Sequence, residues 1–495
     1  MSSTWYDAVV VGAGFGGLAT ALELTRRGAR VALCETLNYP GGCASTFRRE
    51  GHAFEAGATL FSGFEPHQLF GRWIREHGMS VTVDWLDPLV ELRTPELRLP
   101  VFRDKARFIE SLCALPGAPV TGLRRLFALQ GQVAGALWPL FDDPALLPPL
   151  DVKALLRHTG RVLQYAPLLR WMGRPLGAVL EHLGLAGFTP LRTYLDALCQ
   201  ITVQCSAAEA EAPFALAAMD YYWRGTGHVR GGIGKLAEAM AAAVEAHGGT
   251  VLLANRVKGA TRVPGGWSVA TRKGELLARN VVANLLPKGV TRLLGMPPGQ
   301  LPQLEALSER IEGGWGAAML YLVVKAPEHG DGGAHHLELV RDTGAPFIEG
   351  NHLFMSISGA ADEDRAPEGH RTVTVSTHVP LKTLAHLPAE EQGRYMRGIQ
   401  ERMHQGLEQL APEWMTGLTH TLPASPRTYQ RFTQREGGAV GGVPRRAGLS
   451  NYRNLGPMQV MDGLWLVGDS VFPGQSTLAT AVGGVRTAAS IASRG

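Results

Sequence analysis

The chain contains the stretch Tyr6-Asp-Ala-Val-Val-Val-Gly-Ala-Gly-Phe-Gly-Gly17, in which an apolar, β-branched run leads directly into a glycine-rich turn. The run predicts a buried parallel strand, and the turn has the G-x-G-x-x-G spacing of a dinucleotide-binding fingerprint. In such a turn, Gly12 allows the tight bend and Gly14 lets a diphosphate approach the backbone. Gly17 lets the following helix pack closely on the strand.

The residues after this turn complete the fingerprint. A helix is predicted with Leu18, Leu22 and Leu24 on its inner face, and Gly28 ends it. The N-terminus of this helix presents free N–H groups and a positive dipole end to phosphates. The next strand ends at Glu35, about twenty residues farther on, where an acid accepts hydrogen bonds from a ribose hydroxyl. The first sixty residues therefore predict a nucleotide-binding unit.

A second glycine-marked segment lies near the C-terminus, at Gly463-Leu-Trp-Leu-Val-Gly-Asp-Ser470. Its apolar part predicts a strand that delivers Gly468 and Asp469 to the cofactor. Pro473-Gly-Gln475 then turns the chain into a helix that begins near Thr477. The first amides of that helix are predicted to face the N1–C2=O edge of a flavin, where negative charge accumulates on reduction. Together, the two segments predict a flavin-dependent oxidoreductase.

The loop after Glu35 contributes a third glycine pair. Gly41 and Gly42 are predicted to turn their N–H groups toward an anion or a flat ring. Cys43 follows them, and we interpret it as a small residue beneath the flavin rather than as a redox-active thiol.

Composition excludes several classes of function. Of 495 residues, 19% are charged and the formal net charge is +4, with no basic stripe interleaved with aromatic residues, so no nucleic-acid partner is expected. The five cysteines form no C-x-x-C pair and no cluster with histidine, which predicts a reducing compartment and no metal. With neither a signal peptide nor a membrane-spanning run in the sequence, we predict a cytoplasmic protein that at most rests on the inner face of a membrane.

The pattern of motifs predicts a discontinuous organisation in five segments. Residues 1–62, 226–290 and 447–495 are assigned to an α/β domain of the Rossmann type that binds FAD. Residues 63–225 and 291–446 are assigned to a second, α+β substrate domain. The nucleotide-binding pattern resumes at Gly231-Gly-Ile-Gly-Lys235, which opens a helix followed by a strand over 250–257. Polar stretches at 326–336 and 361–370 predict surface loops.

The segment 123–192 has a mixed character that allows two interpretations. Basic residues outnumber acids, and apolar runs at 134–141 and 165–172 lie among them. The combination is typical of amphipathic helices in an anionic membrane interface. It is equally compatible with a helical cap whose arginines are solvated.

On these motifs, the chain resembles the carotenoid desaturase and isomerase branch of the FAD-dependent amine-oxidase-like superfamily. The resemblance is carried by Val10–Leu18, by Pro40-Gly-Gly-Cys-Ala-Ser-Thr-Phe47, by Gly51-His-Ala-Phe-Glu-Ala-Gly-Ala-Thr59 and by Leu466-Val-Gly-Asp-Ser-Val-Phe-Pro-Gly-Gln475. It implies an FAD cofactor, a long apolar tunnel that opens toward a membrane, and an apolar isoprenoid or carotenoid substrate. One departure is Ser476, because the isomerases usually have glycine after Pro-Gly-Gln.

The predicted cofactor site combines the motif positions with those that the resemblance implies. It comprises Gly12, Ala13, Gly14, Phe15, Gly16, Gly17, Glu35, Gly41, Gly42, Cys43, Ala44, Val257, Gly468, Asp469, Gln475, Thr477 and Leu478. No catalytic residue is assigned, although Glu55, His228 and Arg230 are candidate proton acceptors near the expected substrate entrance.

The resemblance leaves the reaction open between desaturation and cis–trans isomerisation, and it does not identify the electron acceptor. Three alternatives share the fold: a retinol saturase-like enzyme, an amine oxidase-like enzyme and a non-enzymatic escort protein for prenyl groups. The complete set of phosphate-binding glycines, together with Glu35, argues against the escort protein.

Overall fold

The computed structural model describes residues 5–57, 60–327 and 333–494. Ala58 and Thr59 of the Gly51–Thr59 motif, and positions 328–332 of the predicted loop at 326–336, lie outside the described residues.

The strands of the described chain are β1 (Trp5–Val11), β2 (Val31–Cys34), β3 (Thr46–Arg49), β4 (His52–Glu55), β5 (Val83–Trp85), β6 (Val90–Arg93), β7 (Arg98–Val101), β8 (Gly227–Val229), β9 (Thr250–Leu252), β10 (Val257–Val263), β11 (Gly266–Thr271), β12 (Gly274–Ala283), β13 (Trp315–Lys325), β14 (His335–Val340), β15 (His352–Ile357), β16 (His370–Pro380), β17 (Leu418–Ala424), β18 (Met458–Met461) and β19 (Leu464–Leu466).

The α-helices are α1 (Phe15–Arg26), α2 (Leu69–Glu76), α3 (Lys105–Cys113), α4 (Val120–Asp142), α5 (Val152–Thr159), α6 (Val162–Trp171), α7 (Leu176–His182), α8 (Thr189–Thr202), α9 (Ala212–Ala218), α10 (Gly234–Ala246), α11 (Pro287–Leu294), α12 (Pro302–Glu312), α13 (Leu381–His386), α14 (Ala389–Leu410), α15 (Pro412–Met415), α16 (Pro426–Thr433) and α17 (Thr477–Ala492).

The first sheet carries the glycine turn. Its strands follow the order β10-β11-β12-β1-β2-β9, and β19 pairs with β12 and β18. The pairs of β1 with β2, β1 with β12, β2 with β9 and β12 with β19 are all parallel. Because the carboxyl ends of parallel strands meet at one edge, the turn after β1 and the segment after β19 come together there. The sheet takes its strands from residues 5–34, 250–283 and 458–466.

The second sheet has seven strands in the order β17-β13-β16-β15-β14-β6-β7. One face is covered by α14, whose buried residues Met396, Ile399, Met403 and Leu407 repeat at helical spacing, as predicted. The helices between residues 105 and 218 form a separate apolar core beside the other face of this sheet. The mixed α/β architecture predicted from the sequence is therefore confirmed.

Two local predictions were wrong. The expected strand over 250–257 is broken between β9 and β10, because Ala254 has a positive φ (+49°) and residues 254–255 hydrogen-bond to Leu37 and Glu35 instead. The predicted loop at 326–336 ends in β14, which begins at His335. His336, the last residue of the predicted surface loop, is buried on this strand. Farther along the strand, Glu338 is also buried, with hydrogen bonds to Tyr222 and His352.

Within the described residues, no helix is long and apolar enough to cross a membrane.

Candidate cofactor and substrate site

A single cavity of about 870 Å³ extends from the glycine turn into the helical layer. Its walls come from both sheets, from the N-terminus of α17 and from the helices between residues 105 and 218. Fourteen of the residues predicted for the cofactor site line it, namely Gly12, Gly14, Phe15, Gly16, Glu35, Gly41, Gly42, Cys43, Ala44, Val257, Gly468, Asp469, Gln475 and Thr477. Ala13, Gly17 and Leu478 do not.

These three residues contact their neighbours in other ways. The Ala13 N–H donates to Glu35 at 2.7 Å. A side chain on Gly17 would collide with the Gly12 carbonyl oxygen, which is the close packing expected of the third glycine. The Leu478 side chain is buried in an apolar core, where it packs so closely on Gly63 that a Cβ there would lie 3.0 Å from it.

The N-terminal and C-terminal glycine segments touch each other. A Cβ on Gly16 would lie 3.2 Å from the Gly468 nitrogen, so Gly16 permits this close approach. The Gly41 N–H donates to the Ala13 carbonyl at 2.8 Å, and a Cβ on Gly42 would lie 3.3 Å from the Gly14 Cα. Segments separated by more than four hundred residues thus form one continuous wall.

Glu35 is held in place by backbone amides. Its Oε2 accepts from Ala13, and its Oε1 accepts from Leu37 at 2.9 Å. Burial raises the pKa of Glu35, and these amides oppose that effect by stabilising the carboxylate. Each carboxylate oxygen has two acceptor lone pairs, so both can accept another hydrogen bond from a ligand.

The N-terminus of α17 concentrates hydrogen-bond donors at the cavity. Ser476 has φ +91°, a value that favours glycine, and its Oγ accepts from the Ala479 N–H at 3.0 Å as a helix cap. The Thr477 hydroxyl is buried and has no partner among the described residues. Ser476 itself caps the helix, at the position where the resemblance implies glycine, although its positive φ strains the backbone there.

Cys43 lies in the cavity wall. Burial raises the pKa of its thiol, which disfavours the thiolate form. The interpretation of Cys43 as a small residue beneath the flavin stays a prediction.

The sequence analysis missed many residues of the cavity wall, among them Asn284 and Arg435, which lie against predicted site residues. Asn284 lies directly after β12, and its amide nitrogen would be 2.6 Å from a Cβ on Gly14. Arg435 lies in the loop after α16 and pairs with Asp469 at 2.7 Å. The apolar run that ends just before Asn284 is a signal that could have revealed it, whereas no local signal marks Arg435.

The candidate proton acceptors do not line the cavity. Glu55 accepts from the Ile233 N–H at 3.0 Å, and His228 pairs with Asp362 at 2.7 Å. Arg230 pairs with Asp84 at 2.6 Å. The Glu55 and Asp362 carboxylates accept hydrogen bonds from N–H groups of the second glycine turn, at 231–234. Protein carboxylates therefore occupy the place that a phosphate would take at this turn.

The far part of the cavity is apolar. It is lined by Leu137, Trp138, Leu140, Phe141, Leu146, Leu147, Leu168, Met172 and Phe214. Leu150 lines the cavity and is also 40% exposed at the surface, so this branch reaches the outside of the protein there.

Comparisons with known proteins agree with this geometry. Residues 10–76 match the family model of the NAD(P)-binding Rossmann-like domain. The prolycopene isomerase of Arabidopsis thaliana, a chloroplastic protein, is 25% identical over 98% of this chain and 82% of its own length. The neurosporene-forming phytoene desaturase of Cereibacter sphaeroides is 25% identical over 94% of this chain and 91% of its own length. The chain is thus similar over nearly its full length to prolycopene isomerases and phytoene desaturases.

The fold of the chain is also found among solved structures of low sequence identity. A redesigned putrescine oxidase aligns with a TM-score of 0.65 at 16% identity, and the alignment covers 99% of this chain and 100% of the other. The amine-oxidase-like fold implied by the sequence resemblance is thereby confirmed.

Proposed function

We propose that the chain is an FAD-dependent oxidoreductase that acts on a long, apolar polyene of the carotenoid type, as a desaturase or a cis–trans isomerase. The observation that carries the proposal is the continuity of one cavity, whose first part is built from glycine turns and whose second part is apolar. A polyene has few polar groups, so an apolar channel is the means by which a protein can bind and orient it.

The wall residues fit FAD on three counts. The absence of a Cβ at Gly14 leaves its backbone open to the approach of a diphosphate. Glu35 retains acceptor capacity for a ribose hydroxyl. The unpartnered Thr477 hydroxyl and the first amides of α17 offer donors to the ring. When bound, FAD would supply the hydride or electron exchange, while the protein binds the polyene, orients it and excludes water.

The test is expression in a bacterial host that accumulates carotenoids, followed by chromatography and absorption spectra of the extracted pigments. A longer chromophore identifies desaturation, whereas unchanged mass with altered intensity of the cis peak identifies isomerisation. A Gly14→Val variant serves as the control without cofactor. Pigments identical in the two strains contradict the proposal.

We further propose that α5 and α6 rest on a membrane surface, from which the polyene enters. The large apolar residues Leu150, Val152, Leu155, Leu156, Val162, Leu163 and Leu169 are exposed there, and Leu163 is 89% exposed. Such a patch is larger than the scattered apolar residues of an ordinary soluble surface. The neighbouring Lys153, Arg157, Arg161 and Arg170 favour an anionic interface.

We expect the double variant Leu156→Glu/Leu163→Glu to lose binding to vesicles that contain anionic lipid, because two charges replace exposed apolar side chains, one on each helix. Flotation of the protein with such vesicles measures this loss. Phe432→Glu is the matched control, since Phe432 is 47% exposed on α16 and outside the patch. Equal flotation of the wild type and the double variant would refute membrane docking through these helices.

A further inference from the structure

Strand β16 presents two polar side chains to the apolar part of the cavity. Ser376 and His378 are two residues apart, so they lie on the same face of the sheet, and both line the cavity. Their cross-strand neighbours Met319, Ala317 and Phe354 also line it and are apolar. The cavity wall is thus interrupted by a hydroxyl and an imidazole at one place.

Neither group has a hydrogen-bond partner among the described residues. The His378 ring lies edge-on to Trp315, with the two ring centres 5.9 Å apart. Burial lowers the pKa of His378 to about 3, so its imidazole is neutral and offers one donor and one acceptor. Ser376 adds a hydroxyl that can both donate and accept.

Other polar residues on the same face differ from this pair. His352 pairs with Glu338 at 3.0 Å, and the Thr374 hydroxyl donates to the Glu55 carbonyl at 3.2 Å. His336 and Thr372 lack partners but do not line the cavity. Ser376 and His378 are therefore the members of this face that are both unpartnered and accessible to a ligand.

A series of contacts between residues places Ser376 and His378 where the apolar part of the cavity adjoins the predicted flavin site. The Trp315 indole N–H donates to the Gln204 carbonyl at 2.8 Å. The side-chain oxygens of Gln204 and Gln475 both approach Gly441. Gln475 lies two residues before the first residue of α17. A polar group bound by Ser376 and His378 would thus lie deep in the cavity, with an apolar tail toward α5 and α6.

A hydrocarbon would leave both polar groups without hydrogen bonds when it displaces water from this wall. A ligand with a hydroxyl can donate to one group and accept from the other. Sites built to bind a hydroxyl discriminate strongly against analogues that lack it, because their own polar groups are then buried unpaired.

We propose that Ser376 and His378 form a binding site for a hydroxyl group on the polyene, so that the substrate class is a hydroxylated polyene rather than a pure hydrocarbon. This inference rests on the proposed function, which it makes more specific.

The test compares two ligands with the same carbon skeleton, retinol and its deoxy hydrocarbon. Each is titrated into the purified, flavin-loaded protein, and binding is followed by quenching of tryptophan fluorescence, since Trp138 lines the cavity. We expect the wild type to bind retinol about tenfold or more tightly than the hydrocarbon, the ratio that follows from one unpaired buried group.

The variant Ser376→Ala/His378→Phe should bring the two affinities within about twofold of each other while the hydrocarbon still binds. Thr372→Val is the matched control, because Thr372 lies on the same strand face but away from the cavity, and it should keep the preference. Equal affinities in the wild type, or a preference that survives in the double variant, overturn the inference. If neither ligand binds, the proposed function fails as well. Flavin absorbance and thermal unfolding of each variant show that it is folded.

Discussion

Gly14→Val is expected to give folded protein that purifies without the yellow colour of a flavin. A Cβ at this position would lie 2.6 Å from the Asn284 amide nitrogen, on the wall where the backbone must approach a diphosphate. The two further methyl groups of valine would extend into the cavity that Gly14 lines. The measurement is the ratio of flavin absorbance to protein absorbance. We expect a fall of about tenfold, which corresponds to about 1.4 kcal/mol of lost binding free energy when flavin is not in excess.

Gly131→Val is the control for this substitution. Gly131 lies on the exposed side of α4, where a Cβ meets open space, and it does not line the cavity. We expect this variant to keep full flavin occupancy with a small gain in helix propensity, because valine is a better helix former than glycine. Full occupancy in Gly14→Val would show that the glycine turn does not bind the cofactor.

Gly484→Ala is expected to destabilise the protein, although alanine is the better helix former. Helix α17 packs on α1 through Gly484, and a Cβ there would collide with the Gly16 carbonyl and lie 2.8 Å from the Ala19 Cβ. Overpacking of this kind costs about 1–3 kcal/mol. Both helices begin at the wall of the cofactor cavity, so their separation should also weaken flavin binding.

Gly483→Ala provides a matched comparison one residue earlier on the same helix. Its Cβ would meet Pro473 at 3.6 Å and the Phe472 carbonyl oxygen at 3.8 Å, which are ordinary contacts. We expect this variant to be as stable as the wild type or more stable by about 0.5–1 kcal/mol, from the entropy that glycine loses on folding. Thermal unfolding of both variants checks the pair, and equal melting temperatures would contradict the close packing of α1 and α17.

The features that depend on one short stretch of sequence could be predicted from it. The turn at 12–17, the acid at Glu35 and the helix that begins at Thr477 each depend on residues adjacent in the chain. The structure brings these segments together, because the parallel order of β2, β1, β12 and β19 aligns their carboxyl ends at one edge.

The parts that depend on distant contacts could not be predicted. Arg435 reaches Asp469 only through the fold, and nothing in its own loop indicates a role. Ser376 and His378 belong to a regular alternating strand, and the sequence does not show that one face of it borders a cavity. Glu55 and His228 were expected near the substrate because their side chains are suited to proton transfer. The structure instead uses them to stabilise the turn at 231–234.

The construction of the first sheet from three remote stretches has a consequence for biosynthesis. Strand β1 leaves the ribosome early, but its partner β12 and the adjacent β19 follow about 270 and 460 residues later. Contacts this remote in sequence slow folding, and the nascent N-terminal half exposes unpaired strand edges while it waits. We therefore expect the cofactor to be captured only after α17 has been synthesised, and a chain truncated before α17 to be retained by chaperones or degraded rather than released as an apoprotein.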